Sequence, residues 1–306
     1  MPITTSLSTG LDEVDVLICG GGLAACVVAG RLAEADPDLV LMVEGGPNNA
    51  DFDIFRHPAL FIMNILPNSK TALSYKSKKS KQLADREVVV QSGGTLGGGS
   101  SINIMLKVLS PCTRRLRCLE YSRLVRRRPS AVHEEDPIDS ETGFFTDEHD
   151  IDVKMAVWAY KKTREIMRRT FTYRGEAPEE HPMFPTGSTA GLYYGQNSPI
   201  SQGEVQSLLY SAEDDTAIEQ RLRERIATTW HSLGTCPMKS RQNGGVVDKD
   251  LNVYGVQGLK VVDLSIPPKN VGANTQITAY TIGEKGADIV IKELGIGCRA
   301  AHGGAK

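Results

Sequence analysis

No stretch of this chain approaches the roughly 20 uninterrupted apolar residues that a membrane-spanning helix requires. It has no Cys-x-x-Cys pair and no His-x-x-x-His pair; Cys19, Cys26, Cys112, Cys118, Cys236 and Cys298 are scattered. With no basic-then-apolar leader in residues 1–14, they read as reduced thiols rather than a disulfide frame, and no metal site is expected. Charge of one sign is also lacking. Thirty-five bases against 37 acids leave a net charge of −2, which gives no global field to attract nucleic acid or an anionic membrane. Neither partner is expected.

What is present is ordinary globular sequence, and 306 residues leave room for about two domains. The opening is the most legible part. An apolar run, Val14 to Cys19, leads into Gly20-Gly21-Gly22, a helix-like stretch to Ala35, and a second apolar run from Leu39 to Val43 that ends in Glu44. Strand, glycine turn, helix, strand and terminal acid together suit a dinucleotide-binding βαβ unit. Gly20 makes the tight turn, Gly22 lets the backbone approach a pyrophosphate, and Ala25 takes the small position where helix packs on strand. The free N–H groups and positive dipole end of the helix favour phosphate. Glu44 suits hydrogen bonds from an adenosine ribose. A glycine turn that binds nothing is the plain alternative.

Residues 51–86 are polar and loop-like, and the basic run Lys76, Lys78, Lys79 and Lys81 reads as a solvated surface. Val88 to Val90 reads as a strand. Gly93 to Asn103 follows, with five glycines whose N–H groups can converge on one ligand. Between residues 110 and 140, seven arginines from Arg114 to Arg128 crowd together before Glu134-Glu135-Asp136. With little aromatic interleaving and acids close by, this reads as a poorly structured insert, not a nucleic-acid tract. Helices are expected over 150–169, where Val153, Ala156, Val157, Tyr160 and Ile166 lie near helical spacing with charges between them, over 214–226 and over 278–294. In the last of these, Ile282, Ala287, Ile289, Val290 and Leu294 form the packing face. Leu259 to Leu264 reads as a strand and residues 187–203 as a loop.

The densest chemistry lies late in the chain, in Thr228-Thr229-Trp230-His231-Ser232-Leu233-Gly234-Thr235-Cys236 and in the Asp263 to Thr275 stretch that runs into the final helix. With LGGGSSINIM (96–105), MAVWAYKKTR (155–164), TWHSLGTC (229–236) and VYGVQGLKVVDLSIPPKNVGANT (253–275), the chain resembles the glucose–methanol–choline (GMC) flavoprotein oxidoreductases. Among them it is most similar to the fungal and yeast alcohol (methanol) oxidases.

The resemblance implies an α/β fold: a Rossmann-like FAD-binding domain and an α+β substrate-binding domain. It implies FAD as cofactor, with a primary alcohol oxidised to an aldehyde and O2 reduced to H2O2. His231 matches the active-site base and Asn274 its partner beside the flavin. Gly20, Gly22 and Glu44 are expected on the ADP half, Gly98, Ser100 and Asn103 on the flavin side, and Asp263 and Thr275 close to the flavin. Homo-oligomers and peroxisomes are also family traits. The ending Gly303-Gly304-Ala305-Lys306 is not an S-K-L type address, so a cytoplasmic location is the default expectation.

Family members are far longer. The chain divides into an N-terminal part of the FAD domain (1–110), an atypical junction (111–143), a remnant of the substrate domain (144–212) and a C-terminal segment carrying His231 and Asn274 (213–306). Much of the family's middle has no counterpart. The FAD-domain sheet is therefore expected to be incomplete, with bare edges and exposed apolar faces. A non-catalytic remnant that holds FAD weakly or not at all is the alternative function. An NAD-dependent dehydrogenase shares Gly20 to Glu44 but leaves LGGGSSIN and the His231/Asn274 ends unaccounted for.

Overall fold

A computed structural model describes residues 3–6, 13–66, 68–103, 124–127, 138–192, 206–272 and 274–296. The chain divides into two compact units: Met1–Tyr75, Val90–Leu106 and Trp230–Lys306 form the first, and Lys76–Val89 and Lys107–Thr229 the second.

The first unit opens with β1 (Val16–Cys19), α1 (Leu23–Ala35) and β2 (Val40–Val43). β1 and β2 pair in parallel, Val16 opposite Val40 and Cys19 opposite Val43, as expected of a βαβ unit. The helix stops at Asp36, whose N–H still donates to Leu32, because Pro37 follows and disfavours helical geometry before it. One face of β1 is covered: Val16 and Ile18 pack on a core of Val28, Leu32, Leu39 and Ile291. The other face is bare, with Leu17 55% and Val43 50% exposed. A parallel sheet is normally covered on both faces, and among the described residues β1 pairs with β2 alone.

Residues 51–86 hold more structure than their polarity suggests: a one-turn helix α2 (Asp53–Arg56), a 3-10 stretch (Pro58–Asn64), β3 (Ala72–Lys76) and a short 3-10 turn (Lys81–Leu83). β3 pairs with β4 (Val89–Gly93) in a two-stranded sheet. The four lysines of the basic run are exposed.

In the second unit, β5 (Leu124–Arg127) pairs antiparallel with β6 (Ile138–Glu141). These strands fall within the arginine-rich stretch and the junction that follows it, where the sequence suggested little order. The other arginines of the run lie outside the described residues. α3 (Ile151–Arg168) starts where the Asp147 carboxylate accepts from the Ile151 and Asp152 N–H groups. α4 (Ala212–Arg225) starts at Ser211, which with Asp214 forms a reciprocal capping box. Glu213 to Asp215 in its first turn and Arg223 and Arg225 in its last complement the helix dipole. Leu83, Val88, Phe144, Phe145 and Val153 make the core, with Leu222 and Ile226 packed on it. Val153 of α3 is buried, while Ile166, about 220° around the helix from it, is 45% exposed.

α5 (Gln276–Glu293) returns to the first unit and packs on α1. The contact is close because Gly283 has no side chain: a Cβ there would stand 2.8 Å from the Ala24 carbonyl oxygen. Ile282 and Ala287 of its expected packing face are buried, while Leu294 is 45% exposed. Leu259 to Leu264 is not a continuous strand. It is tied by single contacts, including an Asn252–Lys260 bridge and the Val261 N–H to the Leu251 carbonyl, and its Val261, Val262 and Leu264 fill a second core around Val247, Leu251 and Ile266. Residues 187–192 are irregular, and 193–203 of that expected loop lie outside the described residues.

Candidate functional site

The expected nucleotide-binding residues gather where two glycine turns meet. Gly20 has φ +93°, and a Cβ built on it or on Gly22 would meet nothing within 4 Å, so the outer side of this turn is open. α1 begins behind it with no side-chain cap. An uncapped helix start beside an open glycine turn is the arrangement a diphosphate uses. The inner side is closed. The Gly97 N–H donates to the Gly21 carbonyl at 2.7 Å, and Gly22 and Gly97 form a parallel bridge.

Gly21 is the glycine that the sequence reading left without a role. A Cβ there would lie 2.8 Å from the Leu96 side chain and 3.0 Å from Glu44 Oε2, so this residue is small because both partners press on it. Glu44 accepts from the Gly21 N–H at 2.5 Å and from the Gly46 N–H at 2.7 Å. Each carboxylate oxygen still has a second lone pair, so the acid is held in place without being used up.

The glycine stretch after β4 is stitched to the loop after β2. Asn49 Nδ2 donates to the Leu96 carbonyl at 2.6 Å and to Ser101 Oγ at 2.8 Å, and Thr95 Oγ1 donates to the Pro47 carbonyl. Ser100, expected on the flavin side, has its Oγ donating to the Gly97 carbonyl at 2.7 Å, closing the turn on itself. Asn103 Nδ2 donates to Gln276 Oε1 at 3.3 Å, which brings the end of the glycine stretch to the start of α5. Thr275, buried at 6% exposure, opens that helix, and the exposed Asn274 precedes it.

His231 is half-buried, and burial pushes its imidazole below the ordinary value of 6.5. The residues after it run beside those after Asp263: Gly234, Cys236 and Met238 donate to the carbonyls of Leu264, Ser265 and Ile266. Asp263 is exposed and accepts from the Ser265 N–H at 2.7 Å and from its Oγ at 2.5 Å. All ten expected site residues thus lie in the first unit. Cys26, also there, donates to the Gly21 carbonyl at 3.3 Å, and burial pushes its thiol up, which keeps it protonated and unreactive.

The second unit holds a buried polar cluster that the sequence did not reveal. Arg164 and Glu176 have side chains 2% and 3% exposed and pair at 2.5 Å and 2.7 Å. The guanidinium also donates to the Ala190 and Gly191 carbonyls and lies over the Phe184 ring at 4.9 Å. Beside it the Tyr160 hydroxyl meets His181 Nδ1 at 2.6 Å. Burial raises the Tyr160 phenol and lowers the His181 imidazole. These residue types read singly as surface charge and aromatic core, and only tertiary structure collects them.

Comparison with known proteins follows the same lines. Residues 130–283, half of the chain, match the family GMC oxidoreductase. The alcohol oxidase of Pichia angusta is 40% identical over 210 residues, covering 55% of this chain and 31% of that protein. Alcohol oxidase 1 of Komagataella phaffii is 41% identical over 199 residues, covering 51% of this chain and 30% of that protein. The chain therefore spans under a third of the length of these curated relatives. Among solved structures, pyridoxine 4-oxidase from Mesorbium loti aligns with a TM-score of 0.62 at 13% identity over 90% of this chain and 99% of that one. A formate oxidase aligns with a TM-score of 0.53 at 16% identity over 92% and 98%. Both likenesses are of fold.

Proposed function

We propose, for a chain that belongs to the GMC oxidoreductase family, that it binds FAD and oxidises a primary alcohol to an aldehyde while O2 is reduced to H2O2. The observation that carries this reading is the open outer side of the Gly20–Gly22 turn, set before an uncapped helix and beside a fixed Glu44. Those residues fit the ADP half of the cofactor. Gly20 and Gly22 leave space for the diphosphate, and Glu44 has lone pairs left for the ribose hydroxyls. Gly98, Ser100, Asn103, Asp263 and Thr275 are the groups proposed for the flavin half.

FAD, when bound, supplies a hydride acceptor that returns its electrons to O2. The chain supplies the proton chemistry. His231, kept neutral near pH 7 by its depressed value, accepts the hydroxyl proton of the alcohol at an imidazole nitrogen. Asn274 donates a carboxamide N–H to the alcohol oxygen as negative charge grows there. The N-terminus of α5, which has no side-chain cap and follows Asn274 directly in the chain, adds a positive dipole end.

Two observations favour a second reading. The chain covers 31% of the Pichia angusta enzyme, and Leu17 and Val43 stand bare on the sheet. A relative that holds FAD weakly or not at all and turns nothing over fits these facts as well. Peroxide release from the FAD-loaded protein with short primary alcohols, lost in His231→Ala, supports the oxidase. Bound flavin with no peroxide from the wild type supports the second reading.

A further inference from the structure

Among the described residues, three bulky ones have left-handed backbones: Phe145 (φ +56°), Trp230 (φ +58°) and Leu251 (φ +67°). Such a conformation brings the Cβ of an L-residue against its own backbone, and large side chains adopt it only where the surroundings hold them there. For Phe145 and Leu251 the reason is plain: they are core residues, 3% and 4% exposed. Trp230 is only half-buried, so deep burial does not account for it. What distinguishes it is its neighbour, His231.

Three residues further on, Gly234 has φ +81°. His231-Ser232-Leu233 is therefore a short arch between two left-handed positions. The far foot of the arch is fixed. Leu233 is buried at 7% exposure, the Gly234 N–H donates to the Leu264 carbonyl at 3.0 Å, and a Cβ on Gly234 would come within 3.1 Å of the Pro267 carbonyl oxygen. The near foot has no glycine. There the left-handed turn is made by Trp230 itself, against its intrinsic preference.

We propose that Trp230 is a positioning residue whose left-handed backbone sets the arch and holds His231 in its half-buried place. This rests on the role of His231 given above, but the geometric claim does not depend on turnover. It separates what the indole does from what the backbone does, because residues differ sharply in their tolerance of positive φ. Glycine adopts it freely and asparagine with little strain, whereas β-branched valine resists it.

The test is an NMR titration of the His231 ring in the FAD-free protein, its signal assigned by loss in His231→Gln. In the wild type His231 is expected to titrate below the ordinary value, as its burial implies. Trp230→Gly and Trp230→Asn, which lack the indole but keep the left-handed turn, are expected to titrate as the wild type does. Trp230→Val is expected to move His231 toward its ordinary value, as the arch opens and the ring meets water. Equal titration of the glycine and valine variants, whether both shifted or both unchanged, overturns the proposal. Should Trp230→Val melt out, Trp230→Ala takes its place against the glycine variant under the same criterion. Flavin titration of the wild type separately tests the cofactor reading, so failure of one does not imply failure of the other.

Discussion

Gly98 packs against Gly22: a Cβ built on Gly98 would stand 3.0 Å from the Gly22 Cα, and the Gly98 backbone has φ +55°. The second glycine stretch therefore serves as the floor of the first turn. A glycine placed in the sequence as a possible ligand contact is here required by packing.

Gly98→Ala tests that floor. The added methyl presses on backbone that cannot rotate away, and alanine resists the positive φ. Overpacking of this kind costs about 1–3 kcal/mol. A lower urea midpoint and weaker FAD retention are expected together, because the same contact shapes the cofactor turn. An unchanged midpoint with normal flavin retention contradicts this role.

Glu176→Gln tests the buried pair of the second unit. Arg164 would keep its charge in a site with 2% side-chain exposure and lose its carboxylate partner. Breaking a buried pair from one side typically costs about 3–5 kcal/mol. Replacing both residues with apolar side chains of similar size removes the stranded charge and is expected to be far less damaging. Urea denaturation of the single and double variants compares the two.

Acid should weaken the fold before its carboxylates titrate. His181 is depressed mainly by burial; Arg164 and Arg221 lower it further, while Glu176 and Glu180 oppose them. The unfolded chain then binds more protons than the folded one, so stability rises with pH through this window. The contribution is complete above the ordinary value of 6.5 and is lost as pH falls through the lower folded value. His181→Gln can accept the Tyr160 hydroxyl without titrating. It is expected to flatten the fall in melting temperature between neutral and mildly acidic pH. Identical slopes in the two proteins contradict it.

The βαβ opening was legible because its signals are local: apolar runs at Val16 and Val40, a glycine turn between them, and Glu44 at the end. Three helices were legible for the same reason, since apolar spacing and the acids of Glu213 to Asp215 need no distant partner. Gly21 was not, because the groups that press on it include Leu96, far along the chain. Arg164 was not, because a charged residue in a helical stretch reads as solvated until the Ala190 and Gly191 carbonyls and Glu176 enclose it. Leu259 to Leu264 has the composition of a strand but lacks a continuous partner, and composition does not report partners. The left-handed backbone at Trp230 has no sequence signal at all, since tryptophan is among the residues least expected there.

The central claim is that this chain holds FAD and uses His231 to deprotonate an alcohol. Its most direct test is the flavin absorbance of the FAD-loaded protein under anaerobic conditions, before and after addition of a short primary alcohol, in wild type and His231→Ala. The account predicts yellow protein in both cases, bleached by alcohol in the wild type and left oxidised in the variant. A chain that stays colourless after refolding with FAD, or that bleaches equally without His231, contradicts it.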